Sequence, residues 1–224
     1  TLRIMIDTEQ LKTCVRNGID FVKKQKGVVD AEIFASWNEQ ITVRLNYTSD
    51  IPCNGVQEPK STQVCGIGLL AVFKTGKETL VGFGSSSNTI TPQGITEAFD
   101  KAKRNKIYDP DFYSLPEPVG KSVLENYHDP AVMEIRDEAI VDLGWRGLKG
   151  AITEYNQKQF NKSIIIGGDI TILKERMAIA STKGMNDCDE STVLTASITS
   201  MIEMEKVKGT GWNTSTHISC FSPE

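Results

Sequence analysis

The chain has 224 residues, 39% of them hydrophobic and 24% charged. That is the balance of a globular protein with room for one large domain or two small ones. Its 25 basic and 29 acidic residues leave a net charge of −4, which lacks the cationic footprint of a nucleic-acid-binding surface. No apolar run approaches the ~20 residues that a membrane helix needs, and no signal peptide opens the chain. The expected setting is therefore cytoplasmic, with no membrane and no nucleic-acid partner.

The first predicted element is a helix from about Thr8 to Lys26, capped by Thr8 and ended by Gly27. Leu11, Val15, Gly18 and Val22 share one of its faces. Alternation follows at Ala31, Ile33, Ala35 and Trp37, then a two-residue turn at Asn38-Glu39, then a second strand carrying Ile41, Val43, Leu45 and Tyr47. Thr48 to Gln63 contains Pro52, Gly55 and Pro59 and reads as a long loop, either functional or poorly ordered. The segment GIGLLAVFKTGKETLVGFGSSSN, from Gly66 to Asn88, is a hairpin turning at Lys74–Glu78. Thr91 then caps a helix with Pro92 at its first position. Its buried stripe is Ile95, Ala98, Phe99 and Ala102. Leu69, Phe73, Phe83, Ile95 and Phe99 are expected to pack together. The basic cluster Lys101–Lys106 suits the carboxyl end of that helix.

Residues 108–130 form a connector with Pro110, Pro116 and Pro118 inside it and Pro130 at its far edge. A long helix is expected from Ala131 to Phe160, with Ile135, Ala139, Leu143, Gly147 or Leu148, Ala151 and Tyr155 inward. The period then changes to two. Ile164 to Ile172, Met177 to Ser181 and Leu194 to Ile202 read as three further antiparallel strands, with a turn at Thr182-Lys183-Gly184 where Gly184 takes positive φ. The expected fold is α+β: antiparallel β-sheets with helices packed on one face, in two subregions. The expected domains are a helix, four-strand and helix subdomain at 1–107, the proline-rich connector at 108–130, and a long helix with antiparallel strands at 131–224.

The chemistry-bearing residues give weak signals. Cys14, Cys53, Cys65, Cys188 and Cys220 contain no Cys-x-x-Cys pair, and an odd count does not suggest a disulfide framework. Cys14 and Cys65 read as core filler. Cys53 and Cys65 flank the long loop without a partnering histidine for zinc. Gly66-x-Gly68, Gly82-x-Gly84 and Gly167-Gly168 read as close backbone approaches or bulges in strands rather than phosphate cradles. Ser85-Ser86-Ser87 lacks a nucleophile elbow and reads as solvated hydroxyls at a helix entry. Asp187, Cys188, Asp189 and Glu190 lack calcium-loop spacing and read as a solvated turn. His128, before Asp129-Pro130, reads as an exposed or capping residue. His217 lies in a weakly alternating segment, Trp212–Phe221. No residue is assigned a catalytic, cofactor-binding or metal-binding role.

Two segments carry a family resemblance. One is the glycine-led hairpin of Gly66–Asn88 with the Thr91–Arg104 helix. The other is MAIASTKGMNDCDESTVLTASITSMIEME, from Met177 to Glu205. In this order, with Tyr108-Asp109-Pro110-Asp111 between them, they resemble the N-terminal region of the TldD/PmbA family, the metallopeptidase-type "modulator of DNA gyrase" proteins. The resemblance implies a cytoplasmic hydrolase that carries out proteolysis on unfolded or peptide substrates, as a homodimer or a heterodimer of paralogues. It implies zinc in a later, C-terminal domain of the catalytic paralogue. This chain has two histidines, His128 and His217, and no His-Glu-x-x-x-His, so no cofactor is expected in this part. The implied role is the N-terminal, non-metal portion, which shapes the substrate channel and subunit pairing. Thr1 and the Phe221–Glu224 end are read as trimmed or cut. The alternative is a stand-alone, non-catalytic binding or scaffold module.

Overall fold

Asp7 and Gln10 start the first helix. Gln10 N–H donates to the Asp7 carboxylate at 2.7 Å, and Asp7 N–H donates to the Gln10 side-chain oxygen at 3.0 Å. This reciprocal box satisfies two otherwise orphaned donors. The cap is therefore Asp7 rather than Thr8, and α1 runs Thr8–Val22, ending earlier than Lys26. Gly27, at φ 87°, turns the chain into the first strand. The computed structural model describes residues 6–49, 51, 54–120, 127–158, 162–204 and 207–218.

Strand β1 is continuous from Val28 to Thr48, so the expected turn at Asn38-Glu39 does not form. The inward phase explains this. Ala31, Ile33, Ala35, Trp37, Glu39, Ile41, Val43 and Leu45 are all buried, with no break in the period of two. β2, Gly55–Val56, pairs antiparallel with β1 through Leu45↔Val56 and Asn46↔Gly55, and β3 begins at Lys60 and runs to Thr75. The segment expected as one loop from Thr48 to Gln63 is thus partly strand. β4, Glu78–Ser87, pairs with β3 from Gly66↔Ser87 to Thr75↔Glu78. Gly76, at φ 63°, makes the tight turn of this hairpin.

Helix α2, Pro92–Arg104, is capped by the Thr91 hydroxyl, which accepts from Gly94 N–H at 3.2 Å. β5, Ile107–Tyr108, adds to β4. The expected single helix from Ala131 to Phe160 is two helices, α3 at Pro130–Met133 and α4 at Asp137–Gln157; Phe160 lies outside the described residues. Arg136 takes extended backbone between them, and Ile135 is buried beside Val132 and Ile140. Tertiary burial of Ile135 outweighs helix continuity. β6 runs unbroken from Ile164 to Ser181, so Met177 and Ile179 continue the strand of Ile164–Ile172 and point to its opposite face. The turn at Thr182-Lys183-Gly184 forms, with Gly184 at φ 98°. β7, Asn186–Met204, pairs antiparallel with β8, Val207–His217, from Leu194↔His217 to Met204↔Val207.

The architecture is α+β, with an eight-stranded antiparallel sheet in the order β5-β4-β3-β1-β6-β7-β8 and β2 beside β1. The described residues group into two compact units that draw on alternating stretches of chain. The first takes in 1–38, 63–123 and 175–190, and the second takes in 39–62, 124–174 and 191–224.

In the first unit, α1 and α2 cover Ala31–Trp37 of β1 and Ile67, Leu69, Ala71 and Phe73 of β3. Phe99 meets Phe21 edge-on at 6.0 Å and lies 6.1 Å from Phe73. Phe83 does not join this core as expected. It is 59% exposed, because its neighbours Gly82 and Gly84 occupy the phase that faces α2. A Cβ at Gly84 would lie 2.0 Å from the Ala98 carbonyl oxygen, and one at Gly82 2.0 Å from that of Ala102. The helix backbone therefore rests directly on these two glycines, the close approach expected of that motif. In the second unit, Ile41 and Val43 of β1, Ile170 and Ile172 of β6 and Leu194 of β7 pack with Val132, Ile135 and Ile140. Leu148, Ile164 and Ile166 form an adjoining cluster.

Candidate functional site

The second unit holds a polar cleft of 540 Å³. It lies over the even-numbered positions of β1 and the odd-numbered positions of β6, which point away from Ile41, Val43, Ile170 and Ile172. Gln40, Thr42 and Arg44 line it from β1, and Asp169 and Thr171 from β6. Gln57, Glu58, Lys60 and Thr62 close its far side. The ladder from β2 holds that side in place, since Gln57 N–H donates to the Arg44 carbonyl at 2.9 Å. A neighbouring cleft of 490 Å³ shares Gln57, Glu58 and Lys60 and adds Asn46 and Asn54.

The floor is a connected set of hydrogen bonds. Ser197 donates to one Asp169 oxygen at 2.9 Å, and Thr171 donates to the other at 3.1 Å. Thr42 and Thr171 hydroxyls meet at 3.1 Å, and the Gln40 amide donates to Thr42 at 3.4 Å. Gly168 permits this arrangement. Its φ is 151°, and a Cβ there would lie 2.1 Å from the Ser197 carbonyl oxygen. β6 therefore approaches β7 more closely at this point than a side chain allows. A Cβ at Gly167 would meet nothing within 4 Å, so of the Gly167-Gly168 pair only Gly168 makes the expected close approach.

A second polar group lies on the buried side of the same unit. Glu39 and Lys174 form a 3.2 Å ion pair, with side chains 3% and 5% exposed, and Ser61 donates to Glu39 at 2.8 Å. In the first unit Arg176 donates to Glu190 at 2.8 Å and to the Ile6 carbonyl at 3.3 Å, and stands over the Trp37 ring. Buried charges of this kind are satisfied in place.

The other residues singled out by sequence fall apart as a reactive site. Ser85–Ser87 are strand residues of β4, with Ser85 and Ser87 exposed as expected. Ser86 is buried and donates to Glu97 at 2.8 Å. Glu97 pairs with Lys101 at 2.7 Å, and Lys101 reaches back to the Ser85 carbonyl. The Lys101 hydrogen bond, then that of Ser86, holds the Glu97 carboxyl below its ordinary range. Burial leaves Ser86 no approach for a substrate. Asp187–Glu190 lie in β7 and not in a solvated turn, with Glu190 committed to Arg176. His128 is half-buried one residue before the α3 cap Asp129, so it is neither exposed nor the cap itself. His217 is the last residue of β8 and hydrogen-bonds Ser215 at 2.7 Å.

Cys14, Cys65 and Cys188 are free thiols packed against the first unit's core. Burial pushes each thiol up from its ordinary range; at Cys188 Lys12 opposes the rise. Cys53 and Cys220 lie outside the described residues. Among the described residues no three His, Cys, Asp or Glu side chains converge as metal ligands, so these residues do not fit zinc.

Gln57, Glu58, Lys60 and Thr62 fall in the Thr48–Gln63 segment expected to be functional or poorly ordered, while Thr42, Arg44, Asp169 and Thr171 were not singled out by sequence. The interruption of the Ile164–Ile172 alternation by Gly167-Gly168-Asp169 is the signal that could have marked them.

No protein-family profile and no curated protein sequence matches the chain. Solved structures do. TldE from Thermococcus kodakarensis aligns over 94% of this chain and 43% of its own, with TM-score 0.64 and 16% identity. A protein from Bacteroides thetaiotaomicron described as a putative modulator of DNA gyrase aligns over 96% of this chain and 46% of its own, with TM-score 0.65 and 15% identity. A protein of the same description from Thermotoga maritima aligns over 93% of this chain and 44% of its own, with TM-score 0.65 and 10% identity. The chain thus spans less than half the length of these structures. Over that length it has the fold of the TldD/PmbA structures, the family its sequence resembles.

Proposed function

We propose that this chain is the N-terminal, non-metal portion of a TldD/PmbA-like metallopeptidase acting on unfolded or peptide substrates. In this reading it shapes the path of the substrate and helps pair subunits, while metal chemistry belongs to the remainder of the longer protein. The observation that carries the reading is the fold match, which takes in 93–96% of this chain but 43–46% of the solved structures.

Two features support a role with extended polypeptide. β8 stands at one end of the strand order, and an end strand can add a peptide strand through main-chain hydrogen bonds that ignore side-chain identity. The polar cleft supplies hydrogen-bonding groups over a preformed surface. The cleft is built wholly from one unit, which is also what a non-catalytic binding module would need.

The test is hydrolysis. The protein that carries this chain, at its full encoded length, is incubated with zinc and an unfolded reporter polypeptide, alone and with its paralogue. Cleavage abolished by a chelator supports the reading. An absence of cleavage in both mixtures overturns it in favour of the binding module.

A further inference from the structure

We propose that the cleft between Arg44, Lys60 and the Asp169–Thr171 floor binds a carboxylate that carries an adjacent N–H donor. This is the chemistry of a peptide's C-terminal end or of a free amino acid. The inference stands on the cleft alone and does not depend on hydrolysis by the longer protein.

The floor dictates half of this chemistry. Thr171 spends its single hydroxyl proton on Asp169. At the 3.1 Å contact between Thr42 and Thr171, Thr42 must then be the donor. The Thr42 oxygen in turn accepts from the Gln40 amide. Ser197 also spends its proton on Asp169. The hydroxyl protons of Thr42, Thr171 and Ser197 thus all run toward Asp169. What remains on Thr42 and Thr171 is lone pairs, so the floor accepts hydrogen bonds and has no hydroxyl proton left to give. A ligand seated there must bring hydrogen-bond donors, which a peptide or an amino acid supplies as N–H groups.

The rim dictates the other half. Arg44 and Lys60 are exposed at the cleft, and among the described residues neither enters an ion pair. The buried cations Lys174 and Arg176 both have carboxylate partners. At the rim these two cations suit a carboxylate, since a guanidinium matches it in two parallel hydrogen bonds. Glu58 and Asp169 also line the cleft and balance its two cations, which suits a singly charged carboxylate beside N–H donors better than a phosphate. The volume of 540 Å³ is that of a small-ligand site. The floor is already hydrogen-bonded and its backbone fixed at Gly168, so a ligand orders little on binding.

The test is calorimetric titration of this chain with triglycine, triglycinamide, succinate and inorganic phosphate. Triglycine is expected to bind saturably. Loss of its carboxylate in triglycinamide, or of its N–H groups in succinate, is expected to weaken binding about tenfold, the scale of one charge-assisted hydrogen bond. Arg44→Gln and Lys60→Gln are each expected to weaken triglycine by a similar factor, and Thr42→Val to weaken triglycine but not succinate. Thermal melting of each variant confirms that it remains folded, and Lys77→Gln, in the β3–β4 hairpin turn, serves as a charge control. Glycine binding as tightly as triglycine identifies the free amino acid as the source, and weaker binding identifies the peptide end. No saturable binding of triglycine, equal binding of triglycinamide or succinate, tighter binding of phosphate, or indifference to Arg44→Gln overturns the proposal. Hydrolysis by the longer protein without triglycine binding here sinks this site alone, and binding here without hydrolysis sinks the peptidase reading alone.

Discussion

Glu39 and Lys174 meet at 3.2 Å on the side of their strands that carries Ile41, Val43, Ile170 and Ile172. Neither side chain exceeds 5% exposure, and Ser61 satisfies a further Glu39 lone pair. Removing one partner strands the other charge away from water, whereas removing both leaves an apolar gap that neighbours can fill. Lys174→Met alone is expected to cost about 3–5 kcal/mol, while Glu39→Leu with Lys174→Met together is expected to be near neutral or stabilising. Urea unfolding of the two single variants and the double variant checks this. A double variant as unstable as the singles would show that the pair contributes net stability.

Gly84 sits under α2 with no room for a side chain, since an added Cβ would lie 2.0 Å from the Ala98 carbonyl oxygen. The obstacle is helix backbone and cannot rotate away. Gly84→Ala is expected to cost at least the ~1–3 kcal/mol of an overpacked core, and amide exchange in α2 should accelerate. Gly76→Ala changes a turn with nothing within 4 Å, so its cost should come from positive φ alone and leave α2 exchange unchanged.

The aromatic cluster gives a paired test. Phe99 is 4% exposed and touches Phe21 and Phe73, so Phe99→Ala is expected to cost ~3–5 kcal/mol. Phe83, on the open face, is expected to cost less than about 1 kcal/mol on the same truncation. Thermal unfolding of both variants checks the difference.

Glu97 links stability to pH. Its carboxyl is held below the ordinary value by Lys101 and then Ser86. The folded state binds the proton less tightly than the unfolded state, so the stabilisation is present above the ordinary value of 4.5 and fades as pH falls through the lower folded value. Wild type should therefore exceed Glu97→Gln in melting temperature at neutral pH, with the gap closing below pH 4.5. A gap that is constant with pH would remove the ionised carboxylate from the explanation.

Local chemistry was legible in the sequence. Thr91 and Pro92 start a helix wherever they occur before an amphipathic stretch, and Gly184 must take positive φ in its turn. The Ile95–Ala102 stripe follows from spacing alone. Asn38-Glu39 was misread because two polar residues between apolar runs resemble a turn; only the partner strand, through Lys174, explains a buried glutamate there. Phe83 was misread for a similar reason. Its alternation fits either face, and the choice was made by the glycines on either side, which α2 needs bare. The cleft was least legible, since Thr42 and Thr171 stand 129 residues apart. No local pattern announces that two threonines will share a proton.

The unbroken phase of β1 restricts how this gene can vary in length. Its inward row serves Trp37 in one core and Ile41 in the other, through a single strand of 21 residues. One inserted or deleted codon between them would turn every later side chain to the opposite face. Ile41 and Val43 would then face water, while Thr42 and Arg44 would be driven into an aliphatic core. Two-codon changes would keep the phase. Relatives that differ in length within this strand should therefore differ by even numbers of residues, or carry a bulge that absorbs the odd one.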